Sequence, residues 1–215
     1  MLSRTFIKPS ARVAFFWLVA SGQNTGMQTR LTSLFGLASP TVLAPMALAT
    51  GGALAVACAR AGALALVGGG YGDLAWTQRE YGLALALSEA DPRHERLRSR
   101  LGVGFITWKL VEDASALDWV LDQSPAARPR AVMLSFGDPR PFAKRIAASG
   151  ARLICQVQRL DQVPQAVEAG AQVIVEQGGE AGGQGMNALN GSATMTLVPE
   201  AADCLTPHAP TRLPL

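Results

Sequence analysis

Short apolar segments alternate with amphipathic ones from about residue 41 to residue 204. The apolar segments are rich in β-branched residues, which is typical of buried strands, and the intervening segments have helical periodicity. Three strands follow Gly62, Gly150 and Gly170, where a helix end needs a residue that tolerates positive φ. The other strands are predicted at 41–46, 101–108 and 131–136, and helices at about 52–61, 73–89, 113–123, 139–148, 160–169 and 192–204. This strict alternation of about six units predicts a parallel sheet in an α/β fold.

A parallel sheet can be open and doubly wound, or it can close into a barrel. An open dinucleotide-binding sheet needs G-x-G-x-x-G after its first strand, and the candidate GGGYG fails because Asp73 stands at the third glycine position. The candidate functional residues instead fall at the C-terminal ends of the predicted strands: Met46, Gly70, Thr107, Ser135, Gln156 and Gln177. A TIM (β/α)8-type barrel carries its active site there. We therefore expect an incomplete barrel of this type, with about six β/α units.

Composition and charge indicate a globular protein with one sizeable core. The chain has 215 residues, of which 49% are hydrophobic and 16% charged, and its formal net charge is +3. Residues 1–72 hold five basic residues and no acidic one, so the rest of the chain is close to neutral. An arginine cluster lacks interleaved aromatic residues, so we expect a solvated helix end or loop and no nucleic-acid binding. Its members are Arg93, Arg96, Arg98 and Arg100.

The cysteines and the N-terminal segment bear on location. Three cysteines without CxxC spacing predict reduced, structural thiols in a cytoplasmic protein and no zinc site. Residues 1–26 include the apolar run 13–20, which is too short to span a bilayer as a helix, so we expect no stable membrane association. The segment is open to three interpretations: a signal peptide, an organelle presequence, or a region before a true start at Met27. We favour the start at Met27, with a barrel domain at 27–204 and an irregular tail at 205–215.

Five ordered segments together resemble the nitronate monooxygenases, also called 2-nitropropane dioxygenases. The segments are LAPMALATGGALAVACARAGALALVGGGYGD, LGVGFITW, ICQVQ, VEQGGEAGGQG and LVPEAAD, and they extend from residue 43 to residue 203. The resemblance implies an FMN-dependent TIM-barrel oxidoreductase that oxidises alkyl nitronates with O2. Some relatives act as NAD(P)H:quinone reductases, so that activity is an alternative.

The resemblance also implies contacts with the flavin ring. Ala44, Pro45 and Met46 match the end of the family's first strand, whose backbone lies against the ring. On the residues alone, a proline at this point simply stops a strand. Gln156 matches a polar position that reaches the ring, and its alternative is a structural polar residue at the barrel mouth.

Further positions of the family motif fall on the third strand and on the loop after the sixth. Gln177 and Gly182 match flavin contacts in that loop. Gly104 stands where some family members carry Asn, so a polar contact is lost there, and Thr107 is a candidate to replace it.

The catalytic position of the resemblance is changed in this chain. The family motif EAGGHG has a histidine, acting as base or proton donor, where this chain has Gln184. An amide forms hydrogen bonds but does not titrate near neutral pH, so we expect weakened or altered activity on a small alkyl nitronate.

The resemblance also implies a loss at the C-terminal end. Six units are expected in place of eight, so the family's phosphate-binding loops after strands seven and eight are missing, and we expect weaker FMN binding. The strands at the two sheet edges would lack partners, which favours a homo-oligomer through open edges. A non-catalytic truncated fragment or pseudoenzyme is therefore a second hypothesis.

Overall fold

A computed structural model describes residues 27–185 and 191–205. The predictions for residues 1–26 and for the tail from residue 206 lie outside these residues. The strands are β1 (Val42–Leu43), β2 (Leu64–Gly70), β3 (Leu101–Ile106), β4 (Ala131–Ser135), β5 (Arg152–Val157) and β6 (Val173–Glu176). The helices are α1 (Arg30–Phe35), α2 (Gly52–Arg60), α3 (Leu74–Glu89), α4 (His94–Arg98), α5 (Thr107–Glu112), α6 (Ser115–Leu121), α7 (Arg140–Ser149), α8 (Val163–Glu168) and α9 (Thr194–Leu205), with a 3-10 turn at Leu160–Gln162.

The six strands form one parallel sheet in sequence order, β1 to β6. This confirms the predicted α/β class, the parallel sheet and the incomplete barrel of six units. Within the described residues, β1 pairs only with β2 and β6 only with β5, so these two strands lie at the sheet edges. Neighbours in sequence are neighbours in the sheet, as expected for barrel units connected by helices.

Side chains of alternate residues pack on opposite faces of the sheet. Ala65 and Val67 of β2 belong to the larger core cluster, which also contains buried residues of α2, α3, α6 and α7. Leu64 and Leu66 point the other way and pack in a smaller cluster with Phe35 of α1. The sheet is buried on both faces, which explains why its strands read as nearly continuous apolar runs.

Among the strands, the largest differences from the expected bounds are at the ends of the first and the third. The first strand ends at Leu43, because the chain turns after it to lie across the neighbouring strands. The third ends at Ile106, and Thr107 begins α5, so the predicted strand 101–108 is wrong at its last two residues. At the predicted helix-to-strand connections, Gly62, Gly150 and Gly170 have φ of 99°, 83° and 77°, as expected.

The arginine cluster is only partly solvated, which corrects the expectation for Arg100. Arg98 ends α4, but the Arg100 side chain is 3% exposed. Its guanidinium donates hydrogen bonds to the carbonyl oxygens of Gly36, at 2.6 Å, and Ala59, at 3.3 Å. A buried arginine that satisfies carbonyls at the ends of α1 and α2 is a structural residue, not part of a basic surface.

Candidate active site

A cavity of about 640 Å³ opens at the C-terminal edge of the sheet. This volume is within the range of small-molecule and cofactor sites. The position is the one at which parallel β/α barrels carry their active sites. The lining residues are Ala44, Pro45, Met46, Ala47, Leu48, Gly70, Tyr71, Phe105, Ile106, Ser135, Phe136, Gln156, Gln177, Gly182, Gly183 and Gln184.

One side of the cavity is the segment that follows β1, and two glycines allow it to lie close to the sheet. A Cβ atom at Gly68 would lie 2.2 Å from the carbonyl oxygen of Met46. A Cβ atom at Gly104 would lie 2.2 Å from Cγ of Pro45. Thr50 stabilises the segment, because its hydroxyl donates a hydrogen bond to the carbonyl oxygen of Ala44 at 2.9 Å. Residues 44–46 therefore have a fixed position above β2 and β3.

The opposite side of the cavity is a row of hydrogen-bonded polar side chains at the ends of β4, β5 and β6, a serine followed by two glutamines. The Ser135 hydroxyl donates to Oε1 of Gln156 at 2.7 Å. Nε2 of Gln156 donates to Oε1 of Gln177 at 2.7 Å, and Nε2 of Gln177 donates to the carbonyl oxygen of Gln184 at 3.1 Å. We call this row, Ser135 to Gln184, the amide relay. It connects the ends of three adjacent strands to the glycine-rich loop after β6, residues 178–185.

Gln184 is also held from the loop after β2. The hydroxyl of Tyr71 donates to Oε1 of Gln184 at 3.1 Å. The Tyr71 ring makes an edge contact with Trp108, with centroids 6.1 Å apart. Both aromatic side chains are about half exposed. Tyr71 lines the cavity, and its ring contact with Trp108 connects the turn after β2 to the start of α5.

Two lining residues have backbone conformations that side chains rarely adopt. Leu48 and Phe136 have φ of 59° and 62°, and they are the two non-glycine residues with positive φ in the described part of the chain. Such conformations cost about 1–3 kcal/mol each and tend to cluster at functional sites. Their occurrence together at one cavity supports a functional role for it.

The cavity is uncharged along the wall that the structure describes. Glu180 lies outside it, and its carboxylate accepts from the Thr194 backbone N–H at 2.9 Å. Hydrogen bonds from the Thr194 side chain and then from backbone groups hold the pKa of Glu180 below its usual value. Glu180 is therefore a loop-stabilising residue and a poor base.

The carboxyl group of Glu176 is buried on the face of the sheet that packs against the larger core cluster. Alternation along β6 places it on the same face as Ile174, which packs in the larger core cluster. Both of its carboxyl oxygens are buried without a hydrogen-bond partner among the described residues, and burial raises its pKa. Residues 27–185 and 191–205 contain no acidic, histidine and cysteine cluster suited to a metal ion. None of their helices is long and apolar enough to cross a bilayer.

The structure brings together most of the residues that the sequence selected. The cavity is lined by Ala44, Pro45, Met46, Gln156, Gln177, Gly182 and Gln184. Two candidates are placed elsewhere. Gly104 lies behind Pro45, and the Thr107 hydroxyl is buried with no hydrogen-bond partner in the described part of the chain, away from the cavity wall. This position gives no support to a contact of Thr107 with a ligand in place of Gly104.

The lining residues that sequence reasoning missed include Leu48, Tyr71 and Phe136. Tyr71 directly follows β2, so the strand-end criterion that selected Gln156 would also have found it. Leu48 and Phe136 gave no signal, because their residue types do not indicate positive φ.

Comparisons with known proteins agree with the fold and indicate the family. The nitronate monooxygenase family profile matches residues 28–215. A nitronate monooxygenase of Neurospora crassa is 32% identical in an alignment of 199 residues that covers 82% of this chain and 52% of that protein.

Solved structures share the fold at lower sequence identity. FabK from Thermotoga maritima superposes with a TM-score of 0.64 at 22% identity, over 82% of this chain and 51% of that one. A nitroalkane oxidase from Streptomyces ansochromogenes gives 0.61 at 23% identity, over 81% and 58%. This chain thus spans about half the length of the relatives it matches. The family match over most of the chain and the identity above 30% establish that it belongs to the nitronate monooxygenase family.

Proposed function

We propose that the cavity binds the ring of a flavin, FMN in the first instance, and that the chain acts as an oxidoreductase on small alkyl nitronates. The observation that carries this proposal is the pairing of two opposed walls at the C-terminal edge of the sheet. One wall is the closely packed segment 44–46, and the other is the amide relay. A flat, acceptor-rich ring suits such a slot, because apolar surface contacts its face and N–H groups contact its edge.

The walls fit the ring portion of a flavin and not its charged end. The cavity volume of about 640 Å³ is large enough for a flavin ring. The described wall offers no cationic side chain for a phosphate. Residues 44–46, Gln156, Gln177 and Gly182 would hold the ring, and Gly104 would act indirectly by supporting Pro45. When bound, a flavin supplies the two-electron oxidation and the reaction with O2.

Gln184 determines what the chain itself contributes to a reaction. Its amide oxygen accepts from Tyr71, so the amide nitrogen is the group left to bind a substrate oxygen. An amide orients an anion but takes no proton at neutral pH. A nitronate is already an anion, so its oxidation suffers less than that of a neutral nitroalkane, which must first lose a proton from carbon.

The same observation favours a second candidate, a flavin-binding chain without catalytic activity. Gln184 occupies the motif position of the family's histidine, and no imidazole lines the cavity in residues 27–185 and 191–205. His94 lies in α4, and His208 is outside the described residues. The two candidates share the flavin and differ in turnover.

The visible absorption spectrum of the purified protein, after FMN is added and the excess removed, tests the shared part. A retained flavin spectrum is expected, and its absence would refute the proposal. Turnover of a nitronate and of its parent nitroalkane then separates the candidates. Gln184→His is expected to raise nitroalkane turnover by about 10² to 10⁴-fold, the usual value of a general base.

Gln123→His is a matched control, because the Gln123 amide bonds to Trp119 in α6, away from the cavity. No gain is expected from it. Equal wild-type rates on nitronate and nitroalkane would contradict the proposal that Gln184 binds an anion without taking a proton. If the flavin-loaded wild type turns over neither compound, the non-catalytic candidate is favoured.

A further inference from the structure

The hydrogen bonds of the amide relay all run from donor to acceptor in one direction, from Ser135 toward Gln184. The backbone carbonyl of Gln184 fixes this direction. The relay ends on the backbone carbonyl of Gln184, which can accept a hydrogen bond but cannot donate one. Gln177 must therefore turn its nitrogen toward Gln184 and its oxygen toward Gln156. Gln156 must in turn present its nitrogen to Gln177 and its oxygen to Ser135. Ser135 closes the row as the donor, so no amide orientation in the relay is arbitrary.

This direction determines which groups are left over for a ligand. Oε1 of Gln156, of Gln177 and of Gln184 each accepts a hydrogen bond, from Ser135, Gln156 and Tyr71 respectively. Each amide nitrogen carries two N–H groups, and the relay uses one of Gln156 and one of Gln177. Among the described residues, the second N–H of each and both N–H groups of Gln184 have no partner. The wall is therefore rich in donors.

We propose that Ser135 is a positioning residue that holds Gln156 with its amide N–H toward the ligand, so that the relay selects an acceptor-rich ring edge. This rests on the proposed function for the ring and adds a residue that does not depend on the family motif. Ser135 is 5% exposed, so the Gln156 oxygen it satisfies lies close to buried surface. An unpaired acceptor in such a place is costly and would turn toward the open cavity.

The side-chain amide signals of Gln156 and Gln177 test the relay without any flavin. In the isotope-labelled, ligand-free protein these signals are expected to be well dispersed and slow to exchange with solvent. Ser135→Ala, and the nearly isosteric Ser135→Cys with its weak donor, should move both residues' signals toward those of exposed amides. Ser135→Thr keeps a hydroxyl and should retain them. Unchanged signals in both the Ala and Cys variants would overturn the proposal.

Affinity for the ring gives a second readout. Ser135→Ala is expected to raise the Kd for FMN by about 3 to 10-fold, which corresponds to one lost hydrogen bond of about 1 kcal/mol. Riboflavin lacks the phosphate, so an effect on the ring predicts the same factor for it. Ser88→Ala is the control, because Ser88 is buried in α3 and donates to the Ala84 carbonyl, away from the cavity.

Failure of the positioning role and failure of the proposed function give different results. A normal Kd for Ser135→Ala, or a Ser135→Thr variant as weak as Ser135→Ala, refutes the positioning role. A loss in Ser88→Ala equal to that in Ser135→Ala also refutes it, because the effect would then be one of general stability. No flavin binding by the wild type refutes the proposed function, and the amide signals then decide on the relay alone.

Discussion

Gly68 of β2 lies directly under the segment that forms one wall of the cavity. A Cβ atom there would lie 2.2 Å from the carbonyl oxygen of Met46 and 2.7 Å from its carbonyl carbon. The usual carbon to oxygen contact is about 3.3 Å, so Gly68→Ala requires a displacement of roughly 1 Å. Both atoms belong to the backbone, so no side-chain rotation relieves the contact. The whole segment held by Thr50 has to move.

The expected cost follows from two opposing effects. Overpacking of this kind destabilises by about 1–3 kcal/mol. Replacement of a strand glycine by alanine returns about 0.5–1 kcal/mol, because the unfolded chain loses conformational freedom. A net loss of about 1–2 kcal/mol is therefore expected. For a domain of roughly 150–250 residues this lowers Tm by about 2–8 °C.

Urea unfolding followed by circular dichroism measures this loss. Gly82→Ala is a matched control, since Gly82 lies in α3 and a Cβ atom there meets nothing within 4 Å. This control should stabilise the protein by about 1 kcal/mol through helix propensity. The opposite signs of the two changes are the core of the prediction. If Gly68→Ala unfolds like the wild type, or if both variants lose stability alike, the close approach of the segment to β2 is not what requires glycine.

Three further predictions concern buried polar groups. Hydrogen bonds from Arg93 hold the pKa of Asp91 below its usual value, so its stabilising effect is present above about pH 4 and lost in more acid solution. Acid unfolding of Asp91→Asn should therefore lack that dependence, whereas Asp122→Asn, with its carboxylate 74% exposed, should unfold like the wild type. Burial raises the pKa of Cys155 to about 12, so mass spectrometry after brief alkylation near pH 8 should find it unmodified while unfolded protein is labelled there. Arg100→Leu leaves two helix-end carbonyls without their buried donor and should cost about 1–3 kcal/mol in urea unfolding, and a loss below 0.5 kcal/mol would contradict this role.

The sequence predicted the sheet well because burial on both faces leaves a strong signal. Strand β2 is a continuous apolar run, and β4 and β5 have the apolar runs 131–134 and 153–155. Each strand follows or precedes a glycine-ended helix, so their order and their parallel pairing could be inferred. The short first strand was overestimated, since residues 44–46 are apolar for a different reason. They pack over Gly68 and Gly104 and do not extend the sheet.

The site was predictable only where it depends on strand ends. Gln156 and Gln177 were selected because they end adjacent strands, and the structure places them in hydrogen-bond contact. Tyr71 directly follows β2, so it could have been selected by the same criterion. Phe136 was expected to end a strand and was not selected for the site, because a bulky residue type gives no sign of a positive φ. The burial of Arg100 was missed for a related reason, since four nearby arginines look alike in sequence while only the fold separates them.

The order of the strands also bears on how the cavity forms. Each strand pairs with its neighbour in sequence, so the sheet can grow one unit at a time from local contacts. The cavity is different, because its walls come from residue 44 at one end of the sheet and from residue 184 near the other. It is complete only when both edges are folded. A molecule that binds between the walls therefore stabilises β1 and β6 together, and couples by binding energy two strands that share no hydrogen bond.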